Sequence, residues 1–136
     1  MAVIDTSVLL AVLLREEWAQ IASAVMAEHA EDMHAPDVIQ LEVANALINA
    51  VRQSRLTAAQ AEPMIAEAAN VPIQLHATVP LVPRAWRLSI DHARRPYDGV
   101  FVALAEQRKD VVFTLDRRLV AGLTGTPVAR FVHLIV

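Results

Sequence analysis

Val111-Val112-Phe113-Thr114-Leu115-Asp116 is a short, largely apolar run closed by an aspartate, with Lys109-Asp110 before it and Arg117-Arg118 after it. Its β-branched and aromatic residues, and its brevity, mark a buried strand rather than a helix. Ala2-Val3-Ile4-Asp5 repeats the pattern at the other end of the chain. In open α/β sheets, ligands collect beyond the carboxyl ends of the strands, so Asp5 and Asp116 are expected at one edge.

Between these runs the pattern alternates. Asp5-Thr6-Ser7 offers capping side chains ahead of a helix over Val8–Leu14, and Trp18, Ile21, Ala22, Val25 and Met26 give helical spacing to Glu16–Ala30. A connector through Met33 follows, and Pro36 is read as opening a third helix, Asp37 to Gln53. Ser54-Arg55-Leu56 turns the chain, and Thr57 with Gln60 has capping-box spacing ahead of a helix over Ala58–Ala69. A strand is expected over Val71–Leu75, helices over Leu81–His92 and Tyr97–Arg108, and a short helix over Asp116–Ala121 ended by Gly122. Phe131–Val136 reads as a closing strand. Such alternation predicts an α/β fold of three layers, α/β/α, around a central, mostly parallel sheet.

The 136 residues suit one domain, 1–136, with no linker or repeat to divide them. Cysteine is absent, which excludes thiolate zinc sites, cysteine nucleophiles and disulfides. The hydrophobic share is 55% and the mean hydropathy +0.38, above the roughly 45–50% usual for soluble domains. That surplus, and the second helix in particular, points to a homodimer. No apolar run reaches the roughly 20 residues that cross a bilayer, and Asp5 stands where a signal peptide would be basic, so a cytoplasmic location is expected. The formal net charge of -3 leaves nucleic-acid binding to local patches. Arginine supplies them: Arg84, Arg87, Arg94 and Arg95, then Arg108 with Lys109, then Arg117 with Arg118. Each cluster alone also reads as a solvated helix face.

Four acids carry the chemistry. Asp5 and Asp116 each suit a helix N-cap as well as a ligand. Glu42 shares a narrow polar stripe with Asn45 and Asn49 on an otherwise apolar helix, a pattern that also fits a solvent face. Asp98 lies in the first turn of a very apolar helix, where the helix dipole favours a carboxylate and where burial demands a backbone partner or a cation. The five histidines, His29, His34, His76, His92 and His133, lack metal-ligand spacing and are assigned to core edges or surface.

Val3-Ile4-Asp5-Thr6-Ser7, Leu41-Glu42-Val43-Ala44-Asn45-Ala46-Leu47, Tyr97-Asp98-Gly99-Val100-Phe101-Val102-Ala103-Leu104-Ala105 and Thr114-Leu115-Asp116-Arg117-Arg118-Leu119 resemble, in order and spacing, the four acidic motifs of PIN-domain ribonucleases. Among these the resemblance is to the VapC-type toxins of toxin–antitoxin pairs, and it covers essentially the whole chain. It implies that Asp5, Asp98 and Asp116 hold Mg²⁺ or Mn²⁺, with Glu42 completing the pocket directly or through water. Thr6 and Thr114 match small polar positions beside the acids, and Asn45 is grouped with them. Gly99 departs from the alanine more usual there, at an expected cost to helix stability of about 1 kcal/mol.

Mg²⁺ takes oxygen ligands and keeps several waters, so a few carboxylates anchor it and leave room for a phosphate. Hydrolysis of single-stranded RNA by a metal-activated water is the implied reaction. Arg94, Arg95, Arg117 and Arg118 are then candidates for the flanking phosphates. The implied partners are RNA, a second copy of the chain, and an antitoxin in a groove between the early helices. Two rival readings stand beside this one: a catalytically silent PIN-like module, and another α/β phosphohydrolase with Asp5 as nucleophile.

Overall fold

The computed structural model describes residues 1–92 and 96–136, and the side chains of Pro96 and Tyr97 are outside the description. In chain order the elements are β1 (Ala2–Ile4), α1 (Thr6–Leu13), α2 (Ala19–Glu28), β2 (Met33–Pro36), α3 (Val38–Arg52), α4 (Ala58–Asn70), β3 (Ile73–His76), α5 (Val82–His92), α6 (Pro96–Arg108), β4 (Val112–Thr114), α7 (Arg117–Leu123) and β5 (Val132–Leu134). Short 3₁₀ turns, Val79–Leu81 and Ala129–Phe131, lead into α5 and β5.

The five strands form one sheet in the order β3-β2-β1-β4-β5, and every pairing is parallel. The expected "mostly parallel" sheet is thus wholly parallel, with helices on both faces. From β1 the chain winds first toward β2 and β3, then returns across the sheet to β4 and β5. Right-handed crossovers put the helices of the two excursions on opposite faces. The packing agrees: α1 meets α2, α3 and α4, while α5 meets α6, which lies against β1 and β2. β1 and β4 therefore adjoin the switch point where doubly wound sheets open a crevice.

The core follows from this sandwiching. Ala2, Val3 and Ile4 of β1 are wholly buried, as are Val8, Leu9 and Ala11 of α1 and Ile39 and Ala50 of α3. Along α6 every residue from Val100 to Ala105 is buried, because the helix lies between the sheet and α5. An all-round apolar helix of this kind is what a central layer requires.

Three sequence expectations are corrected. Met33–Pro36 is not a connector ahead of a helix but a buried strand, and Pro36 ends it. No β-branched residue marks it. It is a strand because β1 and β3 pair with it from both sides, tertiary context overriding local propensity. Gly122 does not end α7, which runs on to Leu123. The left-handed turn comes at Gly125, with φ +82°. Gly99 matters for more than helix propensity: a Cβ there would stand 3.0 Å from both the Cα and the carbonyl oxygen of Ala85. The glycine lets α5 and α6 approach backbone to backbone.

Several boundaries shift by a turn or less: α2 is shorter than Glu16–Ala30, β3 begins at Ile73 rather than Val71, and the last strand is confined to Val132–Leu134. The capping box stands as read, with Gln60 N donating to Thr57 Oγ1 at 3.1 Å and Thr57 N to Gln60 Oε1 at 2.9 Å.

Candidate active site

The four acids come from four different elements. Asp5 leaves the end of β1, Asp116 follows β4, Glu42 lies on α3, and Asp98 sits in the first turn of α6. All four are partly buried.

Asp5 and Asp116 occupy the same kind of strand-to-helix turn yet use their carboxylates differently. Asp116 is a true cap: its Oδ1 accepts from Arg118 N at 2.9 Å and from Leu119 N at 3.1 Å. Asp5 holds the N-cap position of α1 but makes no side-chain cap bond. Its Oδ2 instead accepts from Ser7 Oγ at 2.6 Å and from Thr114 Oγ1 at 2.7 Å. Thr114 is wholly buried in β4, so the second bond ties the first acid to the strand that carries the fourth.

Glu42 is tied in from α1, where the buried Thr6 donates from Oγ1 to Glu42 Oε1 at 2.9 Å. Charge links the acids pairwise, Asp5 with Asp116 and Glu42 with both Asp5 and Asp98, around one acidic basin. Burial pushes the Asp5 carboxyl above its ordinary value, and the charge of Asp116 adds to the rise against the pull of the Ser7 and Thr114 hydroxyls. Burial likewise lifts Glu42 to about 7, helped by the charges of Asp5 and Asp98 and opposed by the Thr6 hydroxyl.

The basin is not a closed cage. Among the described residues no three histidine, aspartate or glutamate side chains stand close enough together to hold one ion by themselves. The donors are nonetheless all carboxylates, the hard oxygens that suit Mg²⁺ or Mn²⁺, and such ions complete their shells with water.

Of the other predicted site residues, Thr6 and Thr114 touch the acids directly. Asn45 is exposed, and no hydrogen bond among the described residues links it to them. Arg117 and Arg118 lie exposed at the start of α7, directly after Asp116. Arg94 and Arg95 are outside the described residues. Ser7 escapes the sequence reading as a site residue because, beside Asp5 and Thr6, it passes for part of a helix cap. The available signal is the third polar side chain in a turn that needs only one.

One histidine is more buried than expected. His34 on β2 is 2% exposed; its Nε2 donates to Asp32 Oδ1 at 2.6 Å, and its Nδ1 meets His76 Nε2 at 2.9 Å. The pair satisfies a buried imidazole on the sheet and takes no part in the acidic basin.

A family model for the PIN domain matches residues 2–121. Ribonuclease VapC3 of Pyrobaculum aerophilum is 30% identical over 119 residues, spanning 86% of this chain and 90% of its own. A protein of the same name from Mycobacterium tuberculosis is 35% identical over 118 residues, spanning 86% and 83%. Among solved structures, a toxin–antitoxin complex from Klebsiella pneumoniae superposes with a TM-score of 0.69 at 14% identity, over 100% of this chain and 98% of that one.

Proposed function

The chain belongs to the PIN-domain family, and on that premise we propose that it is a ribonuclease, the toxin of a toxin–antitoxin pair, which cuts single-stranded RNA with Mg²⁺ or Mn²⁺ in the acidic basin. The observation that carries this reading is the electrostatic coupling of Asp5, Glu42, Asp98 and Asp116 at the switch point of the sheet. Asp5 and Glu42 are pushed upward first by burial and then by neighbouring acids, and a divalent cation would relieve both. The names of the curated relatives, ribonucleases of the VapC type, support the same reaction.

Asp5, Asp98 and Asp116 would hold the ion, with Glu42 beside it. When bound, the cation supplies acidification of a coordinated water and neutralises charge on the phosphate. The remaining work falls to the chain. Ser7 and Thr114 orient Asp5, and the two cap bonds on Asp116 both fall on Oδ1. Thr6 occupies Glu42 Oε1, so any proton exchange with the reacting water would fall to Oε2. Arg117 and Arg118, with Arg94 and Arg95, are the proposed phosphate contacts on the flanking nucleotides.

Partners follow from the surface. α3 and α4 border an apolar groove of about 360 Å³ lined by Ala44, Leu47, Ile48, Val51, Ala61 and Ile65. This suits an apolar segment of an antitoxin, the kind of partner named in the Klebsiella pneumoniae complex. Trp18 and Ile21 by α2, and Trp86 and Ile90 on α5, are exposed apolar side chains that support a homodimer. No helix among the described residues is long and apolar enough to cross a membrane.

The test is cleavage of an unstructured RNA by the full chain. The expected result is activity with Mg²⁺ or Mn²⁺, none with chelator, and a loss of at least about 100-fold in Asp98→Asn at unchanged thermal stability, since even groups that only support a metal's ligands cost 10- to 100-fold when removed. Cleavage that survives both chelator and Asp98→Asn rejects the proposal. Metal-free binding of a partner without any cleavage would favour the silent module instead.

A further inference from the structure

We propose that Ser7 and Thr114 form a two-hydroxyl clamp that makes Asp5 a one-oxygen ligand and thereby favours small, water-retaining cations over Ca²⁺. The inference rests on the reading of the basin as a divalent-cation site, and it follows from a count of protons. A hydroxyl has one hydrogen to donate. Ser7 Oγ accepts from Leu115 N at 3.0 Å, and Thr114 Oγ1 accepts from Asp116 N at 3.0 Å. Both hydroxyl protons are therefore directed to Asp5 Oδ2, at 2.6 and 2.7 Å, lengths characteristic of charge-assisted O–H···O⁻ bonds. The 3.3 Å separating the two hydroxyl oxygens reflects their shared target.

Two consequences follow. Oδ2 is occupied by two donors, so Asp5 offers a cation only Oδ1 and bidentate binding is blocked. Mg²⁺ and Mn²⁺ accept single carboxylate oxygens and keep their waters, whereas Ca²⁺ takes more oxygens and often both of one carboxylate. The clamp also joins α1 to the end of β4: the bond from Leu115 N to Ser7 ties the turn bearing the fourth acid to the helix after the first, and the bond from Asp116 N to Thr114 holds that turn in shape. Ser7 and Thr114 are thus positioning residues, acting through Asp5 without touching the substrate.

The test is calorimetric titration of the full chain with Mn²⁺ and, separately, Ca²⁺. Wild type is compared with Ser7→Ala, Thr114→Val and Ser7→Thr, and with Thr57→Ala, which removes a helix cap outside the basin. Ser7→Ala and Thr114→Val are each expected to weaken Mn²⁺ binding by about 10- to 100-fold and to narrow the preference over Ca²⁺. Ser7→Thr is expected to restore both and Thr57→Ala to change neither. If Ser7→Ala fails to fold, Thr114→Val carries the test from β4. Mn²⁺ uptake by wild type with unchanged affinity and preference in the folded variants overturns the clamp alone. Absence of uptake by wild type overturns the metal reading and the clamp with it.

Discussion

Glu42 carries a large electrostatic signature in the proposed site. Its folded value of about 7 exceeds that of a free carboxyl, so the folded protein holds the proton more tightly than the unfolded chain does. The stability this proton confers is fully present below the unfolded value near 4.5 and is lost as pH rises through about 7. Asp5, also raised, has the same sign. Glu42→Gln is therefore expected to unfold at a higher temperature than wild type at pH 8, by a few degrees, and to match it near pH 4. Scanning calorimetry without divalent ions checks this; equal midpoints at pH 8 would show that Glu42 carries no strain. At this scale the four acids of the proposed site stand out in the sequence by type and spacing. What could not be read was which oxygen does what. Asp5 and Asp116 look alike in sequence, yet one caps a helix and the other is turned away by hydroxyls from residues 7 and 114. That difference arises only when β1 and β4 are paired.

The elements divide in the same way. The capping box of α4 is a purely local signal and was legible in full; Thr57→Ala is expected to cost about 1 kcal/mol in urea unfolding. β2 was illegible because Met-His-Ala-Pro has no intrinsic pattern of a strand and takes that form between two partners. Gly99 lies between these cases. On α6 by itself, alanine would add about 1 kcal/mol of helix stability, but its Cβ would meet the backbone of α5 at Ala85. Backbone in a packed helix yields little, and overpacking costs about 1–3 kcal/mol. Gly99→Ala is thus expected to lower the unfolding midpoint; a midpoint raised by several degrees would show that α5 and α6 separate readily.

For the whole molecule, the winding of the chain explains why acids more than a hundred positions apart share a basin. β1 and β4 are neighbours at the sheet's centre, and the helices carrying Glu42 and Asp98 flank that point from the two excursions. Alternating strands and helices made this architecture legible, because right-handed crossovers leave few alternatives. Substrate grip belongs to this scale as well. With a net charge of -3, the proposed RNA binding would rest on local arginines. Replacing Arg94, Arg95, Arg117 and Arg118 with alanine is expected to flatten the salt dependence of single-strand binding by roughly 0.7 in log–log slope for each phosphate that is no longer neutralised. An unchanged slope would remove them from the interface. The most direct test of the central claim is anomalous diffraction from crystals grown with Mn²⁺. A peak among Asp5, Asp98 and Asp116 that vanishes in Asp98→Asn is the expected result, and full manganese-dependent cleavage by a protein whose only peak lies elsewhere would contradict it.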